Sequence, residues 1–232
     1  MRMNRGISAA ALIAALLAGA GSLGVPMRAA AQDAPPATPA ALARADSGRP
    51  AYTAADVAFM QGMIAHHAQA VLMAGMVPTH EAGADIRRLA ERIDVSQRDE
   101  MAMMQRWLRE RGQTVPEPKP ASDHAEHAQH AGMDMTGMDM SNGLMPGMLT
   151  PAQLAQLGQA THAEFDRLFL TFMIQHHQGA LTMVDRLFSS QGAGQDVTIF
   201  RFASDVTADQ TTEIERMQSM LAARSSSPTP TH

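Results

Sequence analysis

Between Asp56 and Met73 the residues that recur at spacings of three and four are Phe59, Met63, His66, Ala70 and Met73, all apolar except the histidine. Wound at about 3.6 residues per turn, they form one stripe of an α-helix. The order returns 110 positions later as Asp166, Phe169, Met173, His176, Ala180 and Met183. A second stripe carries Ile86, Leu89, Ile93, Gln97, Glu100, Met104 and Trp107, and Gln210, Glu213, Met217 and Met220 stand 113 positions after its last four members. The repeat therefore covers a helix pair, with a connection three residues longer in the second half.

Local signals set the limits of these helices. Thr53 and Asp56 form a capping-box-like start, and Pro78 closes helix one, predicted over 54 to 77. The short turn that follows makes helix two, which runs until Gly112, an antiparallel neighbour. Thr150-Pro151 opens a short helix that Gly158 is expected to interrupt; helix three then spans 162 to 188, and helix four ends near Ala223. Four helices in two repeated pairs predict an all-α fold, a four-helix bundle, with a long flexible His/Met-rich linker between the pairs.

Outside the bundle the chain reads differently. Arg2 and Arg5 precede an apolar run from Ile7 to Val25, and Ala29-Ala30-Ala31 offers a cleavage site, so residues 1–31 are expected to be a signal peptide. Residues 32–51, rich in Ala and Pro, form a flexible leader. Repeat one occupies 52–112, the linker 113–149, repeat two 150–223 and a disordered tail 224–232. The expected location is periplasmic or secreted, with no membrane attachment after cleavage. The full chain of 232 residues carries a net charge of -5. Removal of Arg2, Arg5 and Arg28 with the signal leaves -8, that is, -5 less three positive charges, which speaks against nucleic acid and suits cationic ligands. No cysteine is present, so no disulfide staples the fold.

Composition turns attention to metal. The chain has 20 Met and 10 His against 7 Phe, 1 Trp and 1 Tyr. Met63, His66 and Met73, like Met173, His176 and Met183, stack thioether and imidazole along one ridge. His67 and His177 point about 100° away, toward a neighbouring groove or solvent. Taken singly, each Met is a core filler and each His a hydrogen-bonded core residue; their duplication together favours metal binding. Thioethers select Cu(I), and imidazole also suits copper, so copper as Cu(I) or Cu(II) is the expected guest. Glu100 and Glu213 either accept from histidine N–H groups or lie at the stripe's edge in solvent. In the linker His124, His127 and His130 precede Met133, Met135, Met138, Met140, Met145 and Met148. This stretch lacks core-forming bulk, and its nine potential N or S ligands mark it as an ion-capturing arm.

Catalytic signatures are missing. No Glu-x-x-His occurs for a bundle di-iron centre, and there is no Cys nucleophile, Gly-x-Ser-x-Gly, phosphate loop or His-Glu-x-x-His. The two Met-Ile-x-His-His segments, at 63–67 and 173–177, each followed by a helix with Gln-x-x-Glu, resemble the domain of unknown function 305 family over nearly all of 52 to 221. That resemblance implies a ferritin-like four-helix bundle, commonly exported, with some members binding copper in the periplasm. It points to Met63, His66, His67, Met73, Met173, His176, His177 and Met183 as metal residues. The resulting expectation is an exported protein that sequesters copper, confers resistance to it or passes it to a periplasmic donor or acceptor protein. A helical bundle that docks a protein partner, or a metal-dependent oxidase, is the alternative. Imidazole ligands must be neutral, so Cu(II) binding is expected to weaken below about pH 6.

Overall fold

The computed structural model describes residues 52–118 and 144–225. The expected signal peptide, the leader, the ligand-bearing linker stretch 119–143 and the tail from 226 onward lie outside the described residues. The described residues form five α-helices: α1 (Ala54–Met76), extended by a 3₁₀ turn over Val77–Thr79, α2 (Ala84–Glu110), α3 (Pro151–Gln159), α4 (His162–Ser189) and α5 (Val197–Ser225). No strand occurs among the described residues. α1 packs against α2, α4 against α5, and α1 against α4, so the two repeated helices form the centre of a four-helix bundle. α3 is a short addition laid on α4. It ends at Gln159, one residue past Gly158, in keeping with the expected interruption there. α5 extends two residues beyond the predicted boundary of the tail.

The duplicated aspartates have a structural task. At the start of α1, Asp56 accepts the backbone N–H of Thr53 at 2.7 Å, and the Thr53 hydroxyl accepts the N–H of Asp56 at 3.2 Å, completing the capping box. The other carboxylate oxygen of Asp56 accepts the N–H of Gly194, in the turn between α4 and α5, at 2.7 Å. Asp166 accepts the N–H of Gly83, in the turn between α1 and α2, at 3.0 Å. Each half of the repeat thus closes the turn of the other.

Two expectations are corrected here. α1 does not bury a single stripe: every residue from Met63 to Ala70 is buried, so His67 lies inside with His66. The reason is coverage from several sides, by α2, by α4 and by the end of the linker. That end is itself the second correction, because Met145, Met148 and Leu149 are core residues rather than parts of a free arm. The Gln69 side chain holds it in place, donating to the Leu149 carbonyl at 3.1 Å and accepting the Leu149 N–H at 2.7 Å. Gly147, at φ +72°, and Gly179 on α4 let the two backbones cross; a Cβ on Gly179 would stand 2.0 Å from the Pro146 carbonyl oxygen.

The crossing gives a paired stability test. Gly179→Ala is expected to lower unfolding free energy by at least about 2 kcal/mol, since backbone must move to admit the methyl group. Gly75→Ala, where a Cβ meets nothing within 4 Å on an exposed face of α1, should raise it by about 0.5–1 kcal/mol. Urea denaturation of both variants decides the matter; a neutral Gly179→Ala would contradict the crossing.

Candidate metal centre

The core divides into two apolar clusters. One joins Phe59, Met63, Met104, Met145, Met148, Met183 and Phe202; the other joins Met73, Ile86, Ile93, Phe165, Phe169, Met173 and Met217. N-terminal α1 and C-terminal α4 share the first cluster, so the central helices run antiparallel. Between the clusters lies a polar waist: His66, His67, Gln69 and Gln97 from the first half, His176, His177 and Gln210 from the second, all buried.

All four imidazoles are positioned by one nitrogen. His66 Nε2–H donates to the Pro146 carbonyl at 3.0 Å, and His176 Nε2–H to the His66 carbonyl at 3.0 Å. A carbonyl only accepts, so these bonds place the proton on Nε2. His67 Nε2–H faces Glu100 Oε2 at 2.5 Å and His177 Nε2–H faces Glu213 Oε2 at 2.6 Å, which assigns the two glutamates as histidine acceptors. Nδ1 of all four rings is buried without a partner. The His66 and His176 rings lie 3.8 Å apart between centroids at an interplanar angle of 38°, at the centre of the repeat.

Burial holds the His66 imidazole down to a pKa of about 3, with the neighbouring His67 acting in the same direction. His176 is pushed well below the usual histidine range, chiefly by burial and then by His66. Both rings are neutral, and their Nδ1 lone pairs are available to a soft or borderline cation. Imidazole nitrogen and the thioethers of the adjoining clusters are donor types that copper accepts. Among the described residues no three His, Asp or Glu side chains converge closely enough to hold an ion alone, so methionine sulfur would be needed to complete a shell.

The expected ligands are only partly brought together. Met63 and Met183 share one cluster, Met73 and Met173 the other, on opposite sides of the histidine waist. His124, His127, His130, Met133, Met135, Met138 and Met140 lie outside the described residues. Met145 was missed as a bundle residue: its sulfur and the Met183 methyl both lie 3.4 Å from the position of a Cβ on Gly62, one turn before His66. The Pro146-Gly147 dipeptide was the available signal, but its partner Gly179 is distant in sequence. Between α2 and α5 a cleft of about 360 Å³ opens over the waist, with Glu100 and Glu213 among its walls. Asp209 lines it too, and burial followed by the charges of Glu100, Asp205 and Glu213 raises its carboxyl above the usual range.

Fold and site define a duplicated helical bundle with a histidine waist between methionine-bearing clusters. The chain belongs to the DUF305 family, a domain of unknown function whose model matches residues 56–221. Among solved structures it is similar to a DUF305 protein of Streptomyces coelicolor described as secreted, at 28% identity and a TM-score of 0.59, covering 77% of this chain and 97% of that one. A DUF305 fragment from Deinococcus radiodurans gives 30% identity and 0.58, covering 75% and 99%. CopM in its Cu(II)-bound form gives 25% identity and 0.51, covering 72% and 96%. No match was found among curated proteins. No helix among the described residues is long and apolar enough to cross a membrane.

The buried neutral histidines impose a pH dependence on the metal-free protein. Between the unfolded pKa near 6.5 and the folded value of about 3 the unfolded chain binds more protons, so stability is complete above about 6.5 and falls as pH drops. Urea denaturation at pH 7 and pH 5 should differ by about 2 kcal/mol for each such histidine, at about 1.4 kcal/mol per pH unit. A flat profile over that range would contradict neutral burial.

Proposed function

We propose that this protein is an exported copper-binding protein that takes up copper ions as cargo and holds or transfers them without chemical turnover. The observation that carries the reading is the set of four buried imidazoles whose Nδ1 atoms lack partners, placed between methionine clusters. Met63, His66, His67, Met73, Met173, His176, His177 and Met183 are the ordered ligands in this reading. His67 and His177 are oriented by Glu100 and Glu213, as metal-binding histidines are oriented by carboxylates elsewhere. The likeness to CopM in its Cu(II)-bound form supports copper as the ion. Thioethers add a preference for Cu(I) and need no deprotonation, whereas the flanking arm from His124 to Met140 offers ligands by composition. The apolar run at the N-terminus and the likeness to a DUF305 protein described as secreted support export. In this reading a periplasmic donor or acceptor protein is the other partner.

The test compares three proteins by competition with a chelator of micromolar Cu(I) affinity: the full chain, a chain lacking residues 122–143, and H66Q/H67Q/H176Q/H177Q. The deletion stops short of Met145 because that residue packs in the core. The quadruple variant should bind at least about tenfold more weakly, and the deletion should lower capacity while keeping the tightest binding. No binding by the full chain, or unchanged binding by the quadruple variant, would sink the copper reading. The expected weakening of Cu(II) binding below about pH 6 does not extend to His66, whose value of about 3 keeps that imidazole neutral at pH 5, so the deletion protein should keep part of its Cu(II) binding there. Cu(II) affinity measured at pH 5 and pH 7.5 checks this.

A further inference from the structure

We propose that the cleft between α2 and α5 is a second cation site, separate from the soft ligands of the waist and selective for a hard divalent cation such as Mn²⁺ or Ca²⁺. Its donors are oxygens. Glu100 and Glu213 line it with side chains 22% and 20% exposed, and the bound imidazole of each engages only Oε2. Asp209 lies on the same wall and adds negative charge, but it does not converge with the two glutamates on one ion. Gln97 and Gln210, one turn before the two glutamates, also line the cleft; they are 2% and 3% exposed, and the side-chain oxygen of each has no hydrogen-bond partner. A buried amide oxygen without a donor is costly, and here a matched pair of them flanks the carboxylates.

The charge of the cleft is offset only in part from within, by two arginines against three carboxylates. Arg92 and Arg216 line it, yet neither forms an ion pair among the described residues. The carboxylates alone do not complete a shell; two carboxylates, two amide oxygens and water make the mixed oxygen set that Ca²⁺ and Mn²⁺ accept and Cu(I) does not. A cleft of about 360 Å³ has room for a partly hydrated ion. The N–H donated by His67 and by His177 fixes each glutamate's rotamer, so the inner waist would preorganise the outer site.

The test uses the metal-free full chain at pH 7.5 with Mn²⁺ as the probe, followed by loss of the free-ion electron paramagnetic resonance signal. One site with a Kd on the order of 10⁻⁴ M or tighter, displaced by Ca²⁺, is expected. E100Q/E213Q keeps an oxygen to accept each histidine N–H, and circular dichroism checks its fold; it should weaken Mn²⁺ by at least about tenfold. Should that variant fail to fold, Arg216→Gln decides, with an expected tightening of about threefold on removal of a positive charge. Absence of Mn²⁺ binding at millimolar concentration, unchanged affinity in a folded E100Q/E213Q, or unchanged or weaker affinity in Arg216→Gln would overturn the proposal.

Discussion

The burial of four imidazoles in one layer is the constraint around which the bundle is arranged. A buried histidine must be neutral or paired, and each needs an acceptor for its N–H. The fold supplies four: the Pro146 carbonyl, Glu100, the His66 carbonyl and Glu213. These partners come from the crossing segment, α2, α1 and α5, so the waist ties every layer of the bundle together. The apolar clusters on either side provide the burial that keeps His66 and His176 uncharged. What remains unsatisfied is Nδ1 of each ring, and there the arrangement acquires its chemistry.

Duplication explains most of this layer, and departure from it explains the rest. Asp56 and Asp166, His66 and His176, His67 and His177, and Glu100 and Glu213 occupy matching places. Gln69 and Gly179 also correspond, 110 positions apart, but they differ in kind. The amide of Gln69 clasps Leu149, and the missing side chain of Gly179 lets Pro146 and Gly147 pass. The crossing therefore covers the waist once, and the Pro146 carbonyl takes the His66 proton where strict symmetry would have used α4. Met145 enters the core by the same route and meets Met183 beside Gly62.

Much of the architecture was legible in the chain because the helices carry their own punctuation. Thr53 with Asp56, Thr150-Pro151 and Pro78 mark boundaries within a residue or two of those observed. The repeat offset paired the helices correctly, since antiparallel neighbours follow from a short turn. Periodicity failed for α1, whose apolar stripe does not reveal burial on all sides; coverage there comes from α2, from α4 and from the end of the linker together. The Glu100 and Glu213 question was open for a similar reason, since a stripe fixes the face of a residue but not the partner across it. Gln97 and Gln210 read only as members of the α2 and α5 stripes, and their buried, unpartnered oxygens come to light only in the structure.

The central claim is that His66 and His176 are held as neutral Nε2–H tautomers whose Nδ1 lone pairs are free to receive copper. Nitrogen-15 NMR of histidine-labelled full-length protein, recorded without metal and after addition of Cu(I), tests it directly. The account predicts protonated Nε2 and unprotonated Nδ1 for both rings down to pH 5, followed by displacement of the Nδ1 resonances on metal addition. Protons on Nδ1 in the metal-free protein, or Nδ1 resonances unmoved by a bound equivalent of Cu(I), would contradict it.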